Sequence, residues 1–99
     1  MIRHVVVLTI DPTAPTAAAG IVEALRELPE VIPQLRSYQV GLDLGLAPTN
    51  ATVAVIAEFD DVAGFEAYRD HPAHVAVIEE LIAPVLVSRA AVQHEVGPA

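Results

Sequence analysis

The first apolar segment of the chain, IRHVVVLTI at residues 2–10, places the strongest limit on the fold. It is rich in valine and isoleucine, stops at Asp11-Pro12, and lacks the alternation expected of a strand with one face in water. It is much shorter than the roughly 20 apolar residues of a membrane-spanning helix. A secretion signal would be followed by a cleavage site of small residues, and this segment is not. The segment therefore predicts a β-strand that is buried on both faces.

Three further segments have the composition of strands, near residues 35–42, 51–59 and 86–96, and two helical patterns complete a βαββαβ order. Two right-handed crossovers then predict an α+β, ferredoxin-like fold with a four-stranded antiparallel sheet in the order 4-1-3-2 and helices on one face. We expect residues 1–96 to form this single domain and residues 97–99 to form a short tail.

The two helical patterns have recognisable ends. The first helix can be capped by Thr13 or Thr16 and ends at Pro29. The second begins at Asp60 or Asp61 and breaks at His71-Pro72, because the residue before a proline is disfavoured in the helical conformation. The positions predicted to face inward are Ala18, Ile21, Val22, Leu25 and Leu28 in the first helix, and Val62, Phe65, Tyr68, His74, Val75, Ile78, Leu81 and Ile82 in the second pattern.

Composition indicates that a second copy of the chain covers the free face of the sheet. Of 99 residues, 54% are hydrophobic and the mean hydropathy is +0.50, which is high for a domain with so little interior. The helices cover one face, whereas the first and third strands look apolar on both. We therefore expect a homodimer in which two bare sheet faces meet as a dimeric α/β barrel.

Charge and cysteine content exclude several functions. The chain has no cysteine, so disulfides, thiolate chemistry and zinc ribbons are excluded. Five arginines oppose thirteen carboxylates, for a net charge of −8, and no basic stripe exists to bind nucleic acid or an anionic membrane surface. A cytoplasmic location is the expectation.

The topology is expected to gather distant polar residues. Strands one and three are taken to run parallel, so the end of the second helix lies over the first residues of strand one, and His4 lies on the same strand face as Val6 and Leu8. The residues predicted to meet there are His4, Tyr68, His71 and His74, with Val53 and His94 close by.

This cluster has a catalytic interpretation. His74 lies in the first turn of its helix, where the helix dipole disfavours a second proton, so its neutral ring can act as a base. The phenol of Tyr68 can polarise or protonate a carbonyl oxygen. In the simpler alternative, His71 and His74 hydrogen-bond the helix corner and the Tyr68 hydroxyl is tied down. A metal site on His71-x-x-His74, with Asp70 and His4 as further ligands, is weaker because Pro72 splits the pair.

A small ligand would contact apolar side chains from both layers. The predicted wall comprises Val6, Leu8, Ile21, Leu25, Val55, Phe65 and Val77. Arg36 can hold a substrate carboxylate, although an exposed ion pair is the simpler role for it.

Four stretches together resemble the stress-responsive A/B-barrel (Dabb) family: MIRHVVVLTI, ELPEVIPQLRSYQVG, AEFDDVAGFEAYRDHPAHVAV and SRAAVQHEV. The resemblance extends to about residue 96 and implies a homodimeric barrel of ferredoxin-like subunits. Many members are known only as stress-associated proteins, whereas one plant member is a polyketide cyclase that closes its substrate by an aldol reaction without metal. The resemblance therefore implies a fold more firmly than an activity.

The resemblance also implies roles for individual residues. The tyrosine and histidine of the cyclase look like Tyr68 and His74, and its other matching histidines look like His4 and His71. Arg36 falls at a lysine of the cyclase. Val53 stands where the cyclase has a pocket histidine, so the same ligand is not implied.

Two function hypotheses follow. The first is a cofactor-independent enzyme of the cyclase or isomerase kind, with His74 as base, Tyr68 as acid, and His4 and His71 orienting the substrate. The second is a non-catalytic stress-associated protein or a binder of hydrophobic metabolites. Heme or flavin monooxygenase chemistry is a third possibility that the low aromatic content does not favour. Some relatives hold magnesium through main-chain carbonyls near residues 30–35, but we expect no cofactor.

Overall fold

The computed structural model describes residues 1–97 and confirms the ferredoxin-like fold. Its strands are β1 Ile2–Ile10, β2 Ser37–Leu42, β3 Val53–Phe59 and β4 Leu86–Glu95, and its helices are α1 Ala17–Arg26, α2 Val62–Asp70 and α3 Pro72–Val77. The sheet has the order β2-β3-β1-β4, which is the predicted order seen from the other edge. Residues 98 and 99 of the predicted tail lie outside the described residues.

The predicted direction of β3 was wrong. β1 pairs with β3 in antiparallel register, with Ile2 opposite Phe59 and Leu8 opposite Val53. The physical reason is that β2 and β3 are themselves an antiparallel pair, so β3 runs back between the parallel strands β1 and β2. Val53 therefore lies four residues away from the register position of His4, whose partner on β3 is Ala57.

Helix α2 begins where β3 ends, and this places it over the first half of β1. The chain turns after Phe59, and the Asp61 carboxylate accepts a hydrogen bond of 2.8 Å from the Gly64 backbone N–H, which caps α2. The later turns of α2 then pass over His4. Thr16 stands at the N-cap position of α1, but its side chain makes no capping hydrogen bond.

The break between α2 and α3 lies at the predicted residue. His71 has an extended backbone, with φ −63° and ψ 132°, and Pro72 begins α3. The Nδ1 atom of His71 accepts a hydrogen bond of 3.1 Å from the backbone N–H of Ala73. His71 is thus the N-cap of α3.

The segment after α3 is less regular than its sequence pattern predicts. A π-helical turn spans Ile78–Ile82 and a 3-10 turn spans Ala83–Val85 before β4 begins. Ile82 is buried, whereas Leu81 is 41% exposed. Val62, at the start of α2, is 57% exposed. The inward orientation predicted for Leu81 and Val62 was therefore wrong in the single chain.

The core lies between the helices and one face of the sheet. The even-numbered residues of β1 from His4 to Ile10 face it, because side chains alternate along a strand. The buried hydrophobic residues are Val6, Leu8, Ile10, Ala18, Ile21, Val22, Leu25, Leu28, Ile32, Val40, Val53, Val55, Ala57, Phe59, Tyr68 and Ile82. Within residues 1–97, no helix is long and apolar enough to cross a membrane.

The opposite face of the sheet is apolar and uncovered in a single chain. We call this surface, made of Val5, Val7, Ala54, Ile56, Ala90 and Val92, the open face. Val7 is 38% exposed and Val92 is 53% exposed. An uncovered apolar sheet face of this kind is typical of a surface that meets another chain.

Candidate active site

A cavity of about 260 Å³ lies between the sheet and the α2–α3 corner. Its lining residues are His4, Val6, Leu8, Leu25, Val55, Phe65, Tyr68, Arg69, His74, Ile78, Ile82, Leu86 and Arg89. From β4, an edge strand, Leu86 and Arg89 line the cavity, and the β4 residues after Leu86 are exposed. A more open groove of about 390 Å³ borders the loop between β2 and β3, but no histidine or tyrosine lines it.

The cavity brings together most, but not all, of the residues singled out from the sequence. His4, Val6, Leu8, Leu25, Val55, Phe65, Tyr68 and His74 line it. His71, Ile21, Arg36, Val53 and Val77 do not.

The predicted site residues that do not line the cavity have other roles in the structure. His71 caps α3, and Ile21 and Val53 belong to the core. Val77 packs against that core and is partly buried. Arg36 forms an ion pair of 3.0 Å with Asp60, and its Nη1 donates a hydrogen bond to the Pro33 carbonyl.

Tyr68 and His74 form the centre of the site. Their rings are stacked, with centroids 4.1 Å apart and planes inclined by 30°. His4 approaches Tyr68 from the sheet, with ring centroids 6.1 Å apart, and Phe65 packs on His4 at 5.0 Å. Tyr68 is only 2% exposed, so its position is fixed by packing.

His74 is held in the tautomer that leaves its Nε2 atom free to act as a base. Its Nδ1 lies 3.0 Å from the carbonyl oxygen of Arg69, which can only accept, so Nδ1 carries the proton. Burial lowers the pKa of His74, and the nearby positive charge of Arg89 lowers it further, although the backbone hydrogen bond to Arg69 opposes this. At neutral pH the ring is therefore uncharged, and its Nε2 lone pair can accept a proton.

His4 is neutral as well, but in the other tautomer. The side-chain amide of Gln93 donates to Nδ1 of His4 at 2.8 Å, so His4 carries its proton on Nε2. Burial lowers the pKa of His4 to about 4, with smaller effects from the charges of Arg89 and His74. His4 therefore offers a hydrogen-bond donor rather than a base.

The two tyrosines of the chain share a hydrogen bond. The Tyr38 hydroxyl on β2 lies 2.9 Å from the Tyr68 hydroxyl, and either can donate. Burial raises the pKa of both phenols, so both stay protonated at neutral pH. If Tyr68 donates its proton to a ligand, Tyr38 can donate to the Tyr68 oxygen in turn.

Sequence reasoning missed Tyr38, Gln93 and Arg89. Tyr38 shares the inner face of β2 with Val40, which strand alternation could have revealed. The other two depend on the register of β4, in which Gln93 is opposite His4 and Arg89 is opposite Leu8. His94, which was expected near His4, is opposite Arg3 and on the other face of the sheet.

The metal alternatives do not fit the side chains. Within residues 1–97, no three histidine or acidic side chains are grouped closely enough to hold a metal ion. His71 and His74 bind different partners, the backbone N–H of Ala73 and the carbonyl of Arg69. In the turn before β2, the Pro33 carbonyl oxygen already accepts a hydrogen bond from the Arg36 guanidinium.

Comparison with known proteins identifies the family. The model of the Stress responsive A/B Barrel Domain, Dabb, matches residues 2–96. The chain belongs to this family. Comparison with curated proteins gave no significant match.

Several solved structures share the fold of this chain. A dimeric ferredoxin-like protein of unknown function from Thermobifida fusca is 43% identical, with a TM-score of 0.86 over 96% of this chain and 90% of that one. A Dabb family protein from Mesorhizobium loti is 20% identical, with a TM-score of 0.79 over 98% and 97% of the two chains. The hydroxynitrile lyase of Passiflora edulis is 18% identical, with a TM-score of 0.82 over 99% and 94%. The last two likenesses show the fold alone.

Proposed function

We propose that this Dabb domain is a cofactor-independent acid–base enzyme that abstracts a proton next to a carbonyl group, as an isomerase or a polyketide-cyclase-like enzyme does. One observation carries the proposal. The neutral ring of His74 stacks at 4.1 Å on the buried phenol of Tyr68, in a cavity whose other walls are mainly apolar. A base beside a fixed hydrogen-bond donor is the arrangement that such a reaction needs.

Each group has a defined role in the proposed reaction. His74 accepts the α-proton of the substrate at Nε2 and becomes an imidazolium. Tyr68 donates a hydrogen bond to the carbonyl oxygen, where the negative charge of the enolate develops, and Tyr38 supports Tyr68 from behind. His4 offers a second donor through Nε2. His74 then returns its proton to another carbon, or to the oxygen formed when the enolate attacks a second carbonyl.

We further propose that the enzyme is a homodimer joined through its open face. The exposed valines of that face, Val7 and Val92, would be buried against a second copy. The relative from Thermobifida fusca, which is 43% identical, is described as dimeric. The cavity lies on the opposite side of the sheet, so each subunit would keep its own opening.

A second candidate function is non-catalytic binding of a small hydrophobic molecule. The observation that favours it is that the Tyr68 hydroxyl already has a partner in Tyr38, and that Nδ1 of His74 is held by the backbone. The same groups would then close and shape the pocket. Turnover separates the two functions, whereas binding does not.

Hydrogen–deuterium exchange tests the proposal directly. Small aryl and alkyl ketones, including methyl 4-oxo-4-phenylbutanoate, are incubated in D₂O with the protein, and loss of the α-proton signals is followed by NMR. The wild-type protein should exchange at least one ketone faster than buffer does. His74→Gln and Tyr68→Phe should each lower that rate by about 10²- to 10⁴-fold, the usual contribution of a catalytic acid or base.

A matched control is His94→Gln, which removes a histidine outside the cavity. It should leave the exchange rate unchanged. If no ketone of the panel exchanges above the buffer rate, or if His74→Gln exchanges as fast as the wild type, the enzyme proposal fails and binding is favoured.

A further inference from the structure

One cation on the cavity lining is not accounted for by the proposed reaction. Arg89 lies on β4 opposite Leu8, so its side chain is on the helix side of the sheet. It lines the cavity and is exposed, and β4 is an edge strand of the sheet. The guanidinium thus lies where the cavity meets solvent.

Arg89 differs from the other arginines in its partners. Arg3 pairs with Glu58 at 3.0 Å, Arg36 with Asp60 at 3.0 Å and Arg69 with Asp70 at 2.9 Å, and Arg26 donates to the Val40 carbonyl at 2.7 Å. Among residues 1–97, Arg89 makes no ion pair and no side-chain hydrogen bond. This is unexpected in a chain that has thirteen carboxylates and only five arginines.

The cavity also lacks the negative charge that covers the rest of the protein. No aspartate or glutamate lines it, although the chain has a net charge of −8. Its other charged side chain, Arg69, is already held by Asp70 through two hydrogen bonds of 2.9 Å. The free guanidinium of Arg89 therefore gives the cavity a local site for an anion.

We propose that the natural ligand is a small oxo acid, whose carboxylate pairs with Arg89 while its ketone reaches Tyr68 and His74. This inference rests on the proposed function, and it adds the class of substrate. A guanidinium binds a carboxylate through two parallel hydrogen bonds, which fixes the direction in which the ligand enters. A cavity of about 260 Å³ limits the rest of the molecule to one ring or a short chain.

The strand register supports a ligand that spans the distance from Arg89 to the Tyr68–His74 pair. Leu8, opposite Arg89, is four residues from His4, or about 13 Å along an extended strand. The long side chain of Arg89 covers part of this distance. A ligand with its carboxylate and ketone a few bonds apart would cover the remainder.

The test compares one acid with its neutral ester. Binding of 4-oxo-4-phenylbutanoate and of its methyl ester is measured by calorimetry or NMR titration for the wild type and for Arg89→Gln. The wild type should bind the acid about 10-fold more tightly than the ester, as expected for a solvent-accessible charged pair, and the preference should shrink at high salt. Arg89→Gln should lose the preference and keep the affinity for the ester.

Arg36→Gln is the control, because it removes the same charge from an ion pair outside the cavity. It should keep the preference for the acid. Equal affinity of the wild type for acid and ester, an unchanged preference in Arg89→Gln, or no binding of either probe would each overturn the inference.

The outcome is separable from that of the exchange experiment, which uses neutral ketones and measures turnover. A preference for the acid that depends on Arg89, without any exchange, would support the anion site and reject the enzyme. Exchange without a preference for the acid would support the enzyme and reject the anion site.

Discussion

The buried histidine of β1 makes the stability of the fold depend on pH in a calculable way. His4 has a pKa of about 4 in the folded protein, below its ordinary value of 6.5, because burial disfavours the charged ring. Between these two pH values the unfolded chain binds more protons than the folded one. The contribution of His4 to stability is therefore complete above pH 6.5 and is lost as the pH falls through 4.

The size of the effect follows from the two pKa values. Integrating the proton linkage from 6.5 to about 4 gives a loss of about 2 kcal/mol in the free energy of unfolding by pH 5, and about 3 kcal/mol by pH 4. Carboxylates that protonate in the same range add their own losses. A variant without the titrating ring, His4→Gln, isolates the part due to His4, because all other groups remain.

Urea unfolding at several pH values between 7 and 4 measures the effect, with the protomer concentration held fixed because dimerisation would change the apparent stability. The wild type should lose about 2 kcal/mol more than His4→Gln between pH 7 and pH 5. Parallel pH profiles for the two proteins would contradict this prediction, since they would mean that His4 titrates equally in the folded and unfolded chains.

Three further predictions concern single contacts. His71→Ala should lower the free energy of unfolding by about 1 kcal/mol, because it removes the side chain that caps α3. His71→Asn should keep most of that stability, because asparagine can also cap a helix. Loss of ketone exchange without loss of stability in His71→Ala would contradict this capping role. Tyr38→Phe should cost about 1–3 kcal/mol in urea unfolding and slow exchange, because Tyr68 loses its partner; unchanged stability and rate would show that this bond is unimportant. Val92→Asp should shift the protein to monomer in sedimentation at micromolar concentration, whereas a dimer that persists would exclude the open face as the interface.

Much of the fold was predictable because its signals are local. The boundaries of β1, the cap at Asp61 and the break at His71-Pro72 depend on strand composition, an N-cap side chain and proline geometry. The direction of β3 was mistaken because it depends on the hairpin between β2 and β3 rather than on either segment alone. Helical spacing also failed after residue 77, where a π-helical turn replaces the regular period.

The part of the site that follows from the order of the elements was predictable, and the part that depends on the register of the last strand was not. Tyr68 and His74 could be placed near His4 from the order of the elements, although the assumed strand direction was wrong. Gln93 and Arg89 could not, because they depend on how β4 is aligned with β1, and a shift of one residue would move both to the open face.

The proposed acid–base site is tested most directly by a crystal structure of the protein soaked with 4-oxo-4-phenylbutanoate. We expect the ketone oxygen to lie within hydrogen-bond distance of the Tyr68 hydroxyl, the α-carbon to face Nε2 of His74, and the carboxylate to pair with Arg89. A cavity closed around Tyr68 and His74, with both groups bound only to the protein and the ligand absent or elsewhere, would contradict it.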